Sequence, residues 1–130
     1  MNPNLAAKLV LRWSFALLFF WFGVQQLMNA SDWVTFLPEV TGYLPIPGEM
    51  LVQLNGWLEL CLAVFLLLGY QTRIAAGFLA LHLFGIAASV GGAIGMRDVV
   101  LGCIGVALAL PPADEWTLDA YFKKINPSHI

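Results

Sequence analysis

Charge is what this chain has least of. Of its 130 residues only 11% are Asp, Glu, Lys or Arg, less than half the roughly 25% of a soluble domain. Six basic residues stand against eight acidic ones, for a net charge of −2. Nothing here attracts a polyanion, which excludes nucleic acid as a partner. Cysteine is scarce too: Cys61 and Cys103 lie apart in apolar runs with no C-x-x-C spacing. That excludes a disulfide framework and any reductase working through a close cysteine pair. There are two histidines, and His129 lies in the tail, so a haem held by two histidines is excluded. No phosphate loop, dinucleotide fingerprint, nucleophile elbow or zinc signature occurs. No catalytic residue is assigned.

What the chain has is apolar surface. Hydrophobic residues make up 60% and mean hydropathy is +0.80. One small core cannot bury that much, so the sequence predicts a single integral membrane domain over residues 1–130. Four apolar stretches, at about 5–28, 50–70, 73–92 and 94–110, reach the roughly 17–25 residues that a span requires. Pro3 suits the start of the first helix; Pro111 and Pro112 stop the last. The first stretch is too long for a signal h-region and lacks a small-x-small exit, so it is expected to stay uncleaved. Gly69–Thr72 and Gly91-Gly92 are short turns, and short links make neighbours antiparallel. The expected fold is all-α, an antiparallel four-helix transmembrane bundle.

The link at 29–49 is long, with Ser31 or Asp32 expected to cap a short helix and Trp33 and Phe36 at an interface. It has acidic residues but no basic one. Lys8, Arg12, Arg73, Lys123 and Lys124 fall at the opposite side, which by the positive-inside rule puts both termini in the cytoplasm, with 29–49 as an outer loop and 111–130 as a cytoplasmic tail.

Lipid gives helices no hydrophobic reason to associate, so small and polar residues must do it. Each helix has one such stripe: Arg12, Ala16, Phe19, Gly23 and Gln26 in the first; Asn55, Gly56, Glu59 and Ala63 in the second; Gly77, Gly85, Ala88 and Gly92 in the third; Asp98, Gly102, Gly105 and Ala109 in the fourth. Ionisable groups inside these spans are the candidates for function, because charge in hydrocarbon is costly. Glu59 lies near the midplane, with Asn55 one turn away on the same face, and His82 is at a similar depth. Asp98 to Leu110 gives only roughly 20 Å of helix, so the fourth helix must begin before Arg97, and the Arg97–Asp98 pair then enters the membrane. Depth groups Gln26, Asn55, Glu59, Arg97 and Asp98 into one cluster. That cluster is negative unless Glu59 holds a proton or another cation joins. Arg12 has two outcomes: it reaches toward Glu59, or it snorkels to the interface. Arg73 marks the second turn. Glu59 and Cys61 point to nearly opposite sides of their helix, so no metal site is expected.

Several short motifs, weak singly, recur here in a specific order: Arg12 followed by Phe20-Trp21-Phe22-Gly23-Val24-Gln25-Gln26-Leu27; Gly56-Trp57-Leu58-Glu59; Leu67-Leu68-Gly69-Tyr70-Gln71-Thr72-Arg73-Ile74-Ala75-Ala76; and Arg97-Asp98 with Leu101. In these the chain resembles DoxX-like membrane proteins over nearly its whole length. One position departs: Gln26 stands where lysine is frequent. The resemblance implies a four-helix bundle in a prokaryotic cytoplasmic membrane and, for some relatives, association with membrane oxidoreductase complexes. The leading expectation is a membrane subunit that docks a redox partner or binds a quinone-like lipid. Gln26, Asn55, Glu59 and His82 would hydrogen-bond the quinone carbonyl, and Trp57 and Phe residues would pack its ring. Two rivals stand beside it: a non-enzymatic assembly factor contacting a membrane protein through residues 29–49, and a small proton-coupled carrier using Glu59. A protein partner or a homo-oligomer fits any of the three.

Overall fold

A computed structural model describes residues 1–128; His129 lies outside the described residues. Four long helices carry the fold: α1 (Pro3–Met28), α3 (Gly48–Leu68), α4 (Thr72–Val90) and α5 (Gly92–Ala109). All four are long and apolar enough to cross a membrane, and the chain is a multi-pass membrane protein whose outer helix faces meet the bilayer. Two short helices complete it, α2 (Ala30–Trp33) and α6 (Leu118–Ile125).

The helix ends follow from local chemistry. Asn2 caps α1, its side chain accepting from the Asn4 N–H at 2.9 Å, with Pro3 in the first turn. α3 stops at Gly69, which adopts φ +71°, a left-handed conformation that costs glycine little. A Cβ there would also overlap Thr117. Gly91 and Gly92 both have positive φ and turn the chain from α4 into α5. Residues 29–47 form α2 and short 3-10 turns at Val34–Phe36 and Glu39–Tyr43. Neither Ser31 nor Asp32 caps α2. Asn29 precedes it without a side-chain cap, because the helix starts two residues earlier than a cap at Ser31, and three earlier than one at Asp32, would set it. Trp33 packs edge-to-face on Phe22 of α1, tying this segment to the bundle.

α1 packs mainly on α3 and α4 mainly on α5, with lesser α3–α4 and α1–α5 contacts. The buried stripes of α1, α3 and α5 contain the small and polar residues named above: Arg12, Ala16, Gly23 and Gln26; Gly56, Glu59 and Ala63; Asp98, Gly102 and Gly105. α4 differs from expectation. Its buried face is Ala75, Ala76, Leu79, Ala80, Leu83 and Ala87, whereas Gly85 and Ala88 are exposed. Alanines do on α4 what glycines do elsewhere. Gly105 faces Ala80 and the Ala76 carbonyl, and Gly95 faces the Ala87 carbonyl.

At the end of the bundle that carries both chain termini, side chains from one element cap helices of another. Asp119 accepts from the backbone N–H groups of Gln71 and Thr72, at 2.7 and 2.8 Å, capping α4. Arg73 Nε donates to the Ala109 carbonyl at the end of α5, at 2.7 Å. The Thr117 hydroxyl caps α6 by accepting from the Ala120 N–H and itself donates to the Asp114 carbonyl. The tail is thereby folded back under the bundle.

Candidate functional site: a buried carboxylate shared by three helices

The site begins with two glycines. A Cβ on Gly23 would lie 2.8 Å from the Gly56 carbonyl oxygen, and one on Gly56 would lie 3.0 Å from Gln26 Cβ. Their absence lets α1 and α3 approach closely. Gln26, one turn beyond Gly23, thus comes within reach of Glu59, one turn beyond Gly56.

Glu59 lies near the middle of α3, about 14–17 Å from either helix end, and is 2% exposed. Its carboxylate takes contacts from three helices. Gln26 Nε2 donates to Oε2 at 2.7 Å. Asn55 Nδ2 donates to Oε1 at 3.1 Å and to Gln26 Oε1 at 2.7 Å. These three side chains close a ring in which both amide orientations are fixed by need: each must present nitrogen to an oxygen. From α4, His82 Nε2 lies 2.9 Å from Glu59 Oε1. That contact joins α4 to the carboxylate already held by α1 and α3. His82 is also the missing counterpart of Glu59, a role the sequence left open.

His82 extends the cluster to the bilayer. Its side chain is 18% exposed, and its Nδ1 makes no hydrogen bond and is not fully buried among the described residues. Phe78, one turn before it, is exposed. Gly85, one turn after it, has open space where a side chain would be. The α4 surface therefore carries no side chain one turn after a histidine whose Nε2 contacts a buried carboxylate.

Other candidate residues stand elsewhere. Trp57 is only two residues from Glu59, so it points about 200° away around the helix, and it is 57% exposed. It faces lipid on another side of α3 and is not part of the cluster. Arg97 and Asp98 form their own pair, with Nε and Nη2 of Arg97 both 2.9 Å from Asp98 Oδ1. Asp98 is buried, Arg97 is half-exposed, and neither hydrogen-bonds Glu59 or its partners. Equal depth placed them in one group, but Asp98 is paired with its own neighbour Arg97 instead.

Arg12 follows neither outcome expected of it. It is 1% exposed, and all of its N–H groups have partners at the terminal end of the bundle. Nε donates to Asp114 Oδ2 at 2.9 Å and Nη2 to Asp114 Oδ1 at 3.4 Å. Nη1 donates to the carbonyls of Leu66 and Leu67 at 2.6 and 3.1 Å, and Nη2 also reaches the Trp116 carbonyl at 2.9 Å. The Leu66 and Leu67 carbonyls belong to the last turn of α3, which has no intrahelical donors of its own and carries the negative end of the helix dipole. A buried guanidinium is well matched to that position. With Arg12 on Asp114, Arg73 on Ala109 and Arg97 on Asp98, the three arginines hold three separate places.

Sequence reasoning missed Asp114 and Asp119, both in the tail. The readable signal was weak: an Asp-x-x-Thr pattern at Asp114–Thr117, directly after the Pro111-Pro112 stop. Among the described residues no group of three His, Cys, Asp or Glu side chains is arranged to share a metal ion.

No curated protein and no solved structure matches the chain. A family model, DoxX, matches residues 7–92. That stretch takes in Arg12, the Gly23–Gly56 contact and the whole Gln26–Asn55–Glu59–His82 cluster. The chain therefore belongs to the DoxX family.

Proposed function

We propose that this protein is a membrane subunit that binds a quinone-like lipid at the Glu59–His82 cluster and presents it to a redox partner. The observation that carries this reading is the His82 ring, which is partly exposed, has Glu59 on Nε2 and has no protein hydrogen-bond partner on Nδ1. A quinone carbonyl arriving laterally from the membrane would meet Nδ1. Glu59, held by Gln26 and Asn55, would orient the ring and supply or accept the proton that accompanies quinone reduction or oxidation. The open space at Gly85 gives the headgroup room, and Phe78 takes the ring-packing role that the sequence suggested for Trp57. The cluster's place in the middle of apolar helices matches a ligand that is itself dissolved in the bilayer. The distribution of basic residues supports both termini inside, and the DoxX resemblance supports a prokaryotic cytoplasmic membrane.

The test is titration of a short-chain ubiquinone analogue into nanodiscs containing the full chain, read by quenching of tryptophan fluorescence. Saturable binding is expected. It should weaken about tenfold in Glu59→Gln and in His82→Gln, which is the loss of one charge-assisted hydrogen bond. Binding that does not saturate, or that is the same in all three proteins, would remove this reading.

A second reading is supported by the segment 29–47, where Val40, Tyr43 and Leu44 are exposed. Such a surface suits a non-enzymatic factor that assists another membrane protein. Recovery of the same membrane partner by wild-type protein but not by a Val40→Ser/Tyr43→Ser/Leu44→Ser variant would favour it over quinone binding.

A further inference from the structure

The terminal end of the bundle holds a feature that quinone binding does not use. The start of α4, the end of α5 and α6 enclose an open cavity of about 1040 Å³, lined in part by Arg73, Lys123, Ile74, Phe122 and Ile125. Two of the chain's six basic residues thus face one space. Arg73 is anchored through Nε to the Ala109 carbonyl, which leaves its two terminal nitrogens without a partner among the described residues. Lys123 has no ion-pair partner among them either. Asp119 also lines the cavity, but both of its oxygens are taken by the N–H groups of Gln71 and Thr72. Those bonds orient the Asp119 carboxylate without cancelling it, and with Arg73 and Lys123 against Asp119 the lining keeps a net positive charge.

The rest of the lining indicates what kind of anion fits. Ile74 is exposed on the first turn of α4, and Phe122 and Ile125 are exposed on α6. α6 is amphipathic, with Lys123 and Lys124 in its last turn, the composition of a helix that rests in the headgroup region. A soluble phosphate has no use for an apolar wall at the ends of two membrane-spanning helices. A phospholipid uses both parts.

We propose that this cavity binds the phosphodiester headgroup of an anionic phospholipid. Arg73 and Lys123 hold the phosphate, and Ile74, Phe122 and Ile125 pack the glycerol and first methylenes. The inference is independent of the quinone reading, since it involves other residues at the other end of α4.

Native mass spectrometry of the full chain, released from nanodiscs of equal phosphatidylglycerol and phosphatidylcholine, reads lipid retention directly. Wild-type protein should retain phosphatidylglycerol preferentially. Arg73→Gln/Lys123→Gln should lower that retention roughly tenfold or more, since each basic group near the surface contributes about 1 kcal/mol. Lys123→Gln alone, which breaks no hydrogen bond, should lower it about fivefold and keeps the test valid if the double variant does not fold. Lys8→Gln, an exposed basic residue outside the cavity lining, should change nothing. Millimolar inorganic phosphate should not displace the lipid. Equal retention of both lipids, no effect of Lys123→Gln, an equal effect of Lys8→Gln, or displacement by inorganic phosphate would each overturn the proposal.

Discussion

Two buried carboxylates, Asp114 and Glu59, show what the same kind of group does in two places. Asp114 meets an arginine all of whose N–H groups are engaged, by the carboxylate and by three backbone carbonyls. That site is closed: charge is balanced, no donor is left over, and α1, α3 and the tail are joined. Glu59 is held by two neutral amides and one histidine. That site is open: it holds no arginine or lysine, and the His82 side chain is partly exposed. The difference separates a staple from a site for chemistry, although both look alike as rare polar residues in an apolar sequence.

The largest expected effect tests the staple. Arg12→Ala removes the guanidinium from the Leu66 and Leu67 carbonyls, leaving Leu66 only the Gly69 N–H, and leaves Asp114 buried without its cation. Breaking a buried pair from one side costs about 3–5 kcal/mol, which denaturant titration in mild detergent would register as a large loss of folded protein. A stable Arg12→Ala variant would remove the distinction. Next is Gly23→Ala, which forces apart the α1–α3 contact that brings Gln26 to Glu59. Overpacking here should cost about 1–3 kcal/mol and lower quinone affinity too, measured by thermal unfolding and by quinone titration. Normal binding would mean that the spacing of α1 and α3 does not set the site. Glu59→Gln is smaller in stability, about 1 kcal/mol, because the amide keeps the shape and half of the hydrogen-bonding capacity. Its effect belongs in ligand binding, the reverse of the Arg12 pattern. Smallest is Gly85→Ala. The residue is exposed in a helix with open space around it, so stability should rise by up to about 1 kcal/mol while filling that space weakens quinone binding. A variant unchanged in binding would place the ligand away from Gly85.

The spans were legible in the sequence because apolar runs, proline stops and glycine turns are local signals. So were the stripes of α1, α3 and α5, where glycine or a polar residue marks the inward face against Leu, Phe and Val. The stripe of α4 was not: Ala75, Ala76, Ala80 and Ala87 face inward, but in a membrane alanine and leucine suit core and lipid equally, so the pattern lacks contrast. Depth is readable from position along a span, and it brought Gln26, Asn55 and Glu59 together correctly. Azimuth is not, and so Arg97 and Asp98 were grouped with them while His82 was left without a named partner. Asp114 was hidden for another reason. It reaches Arg12 only because the tail folds back under the bundle, and no local pattern encodes that return.

The account turns on whether Nδ1 of His82, which has no protein partner, is where a ligand binds. Nitrogen NMR of histidine-labelled protein in nanodiscs, during titration with a short-chain ubiquinone analogue, observes that atom directly. The predicted result is a saturable shift of the His82 Nδ1 signal, moved to about tenfold higher analogue concentration in Glu59→Gln and unchanged when Lys123 is replaced by Gln. A His82 Nδ1 signal that does not move while the analogue binds would contradict the account.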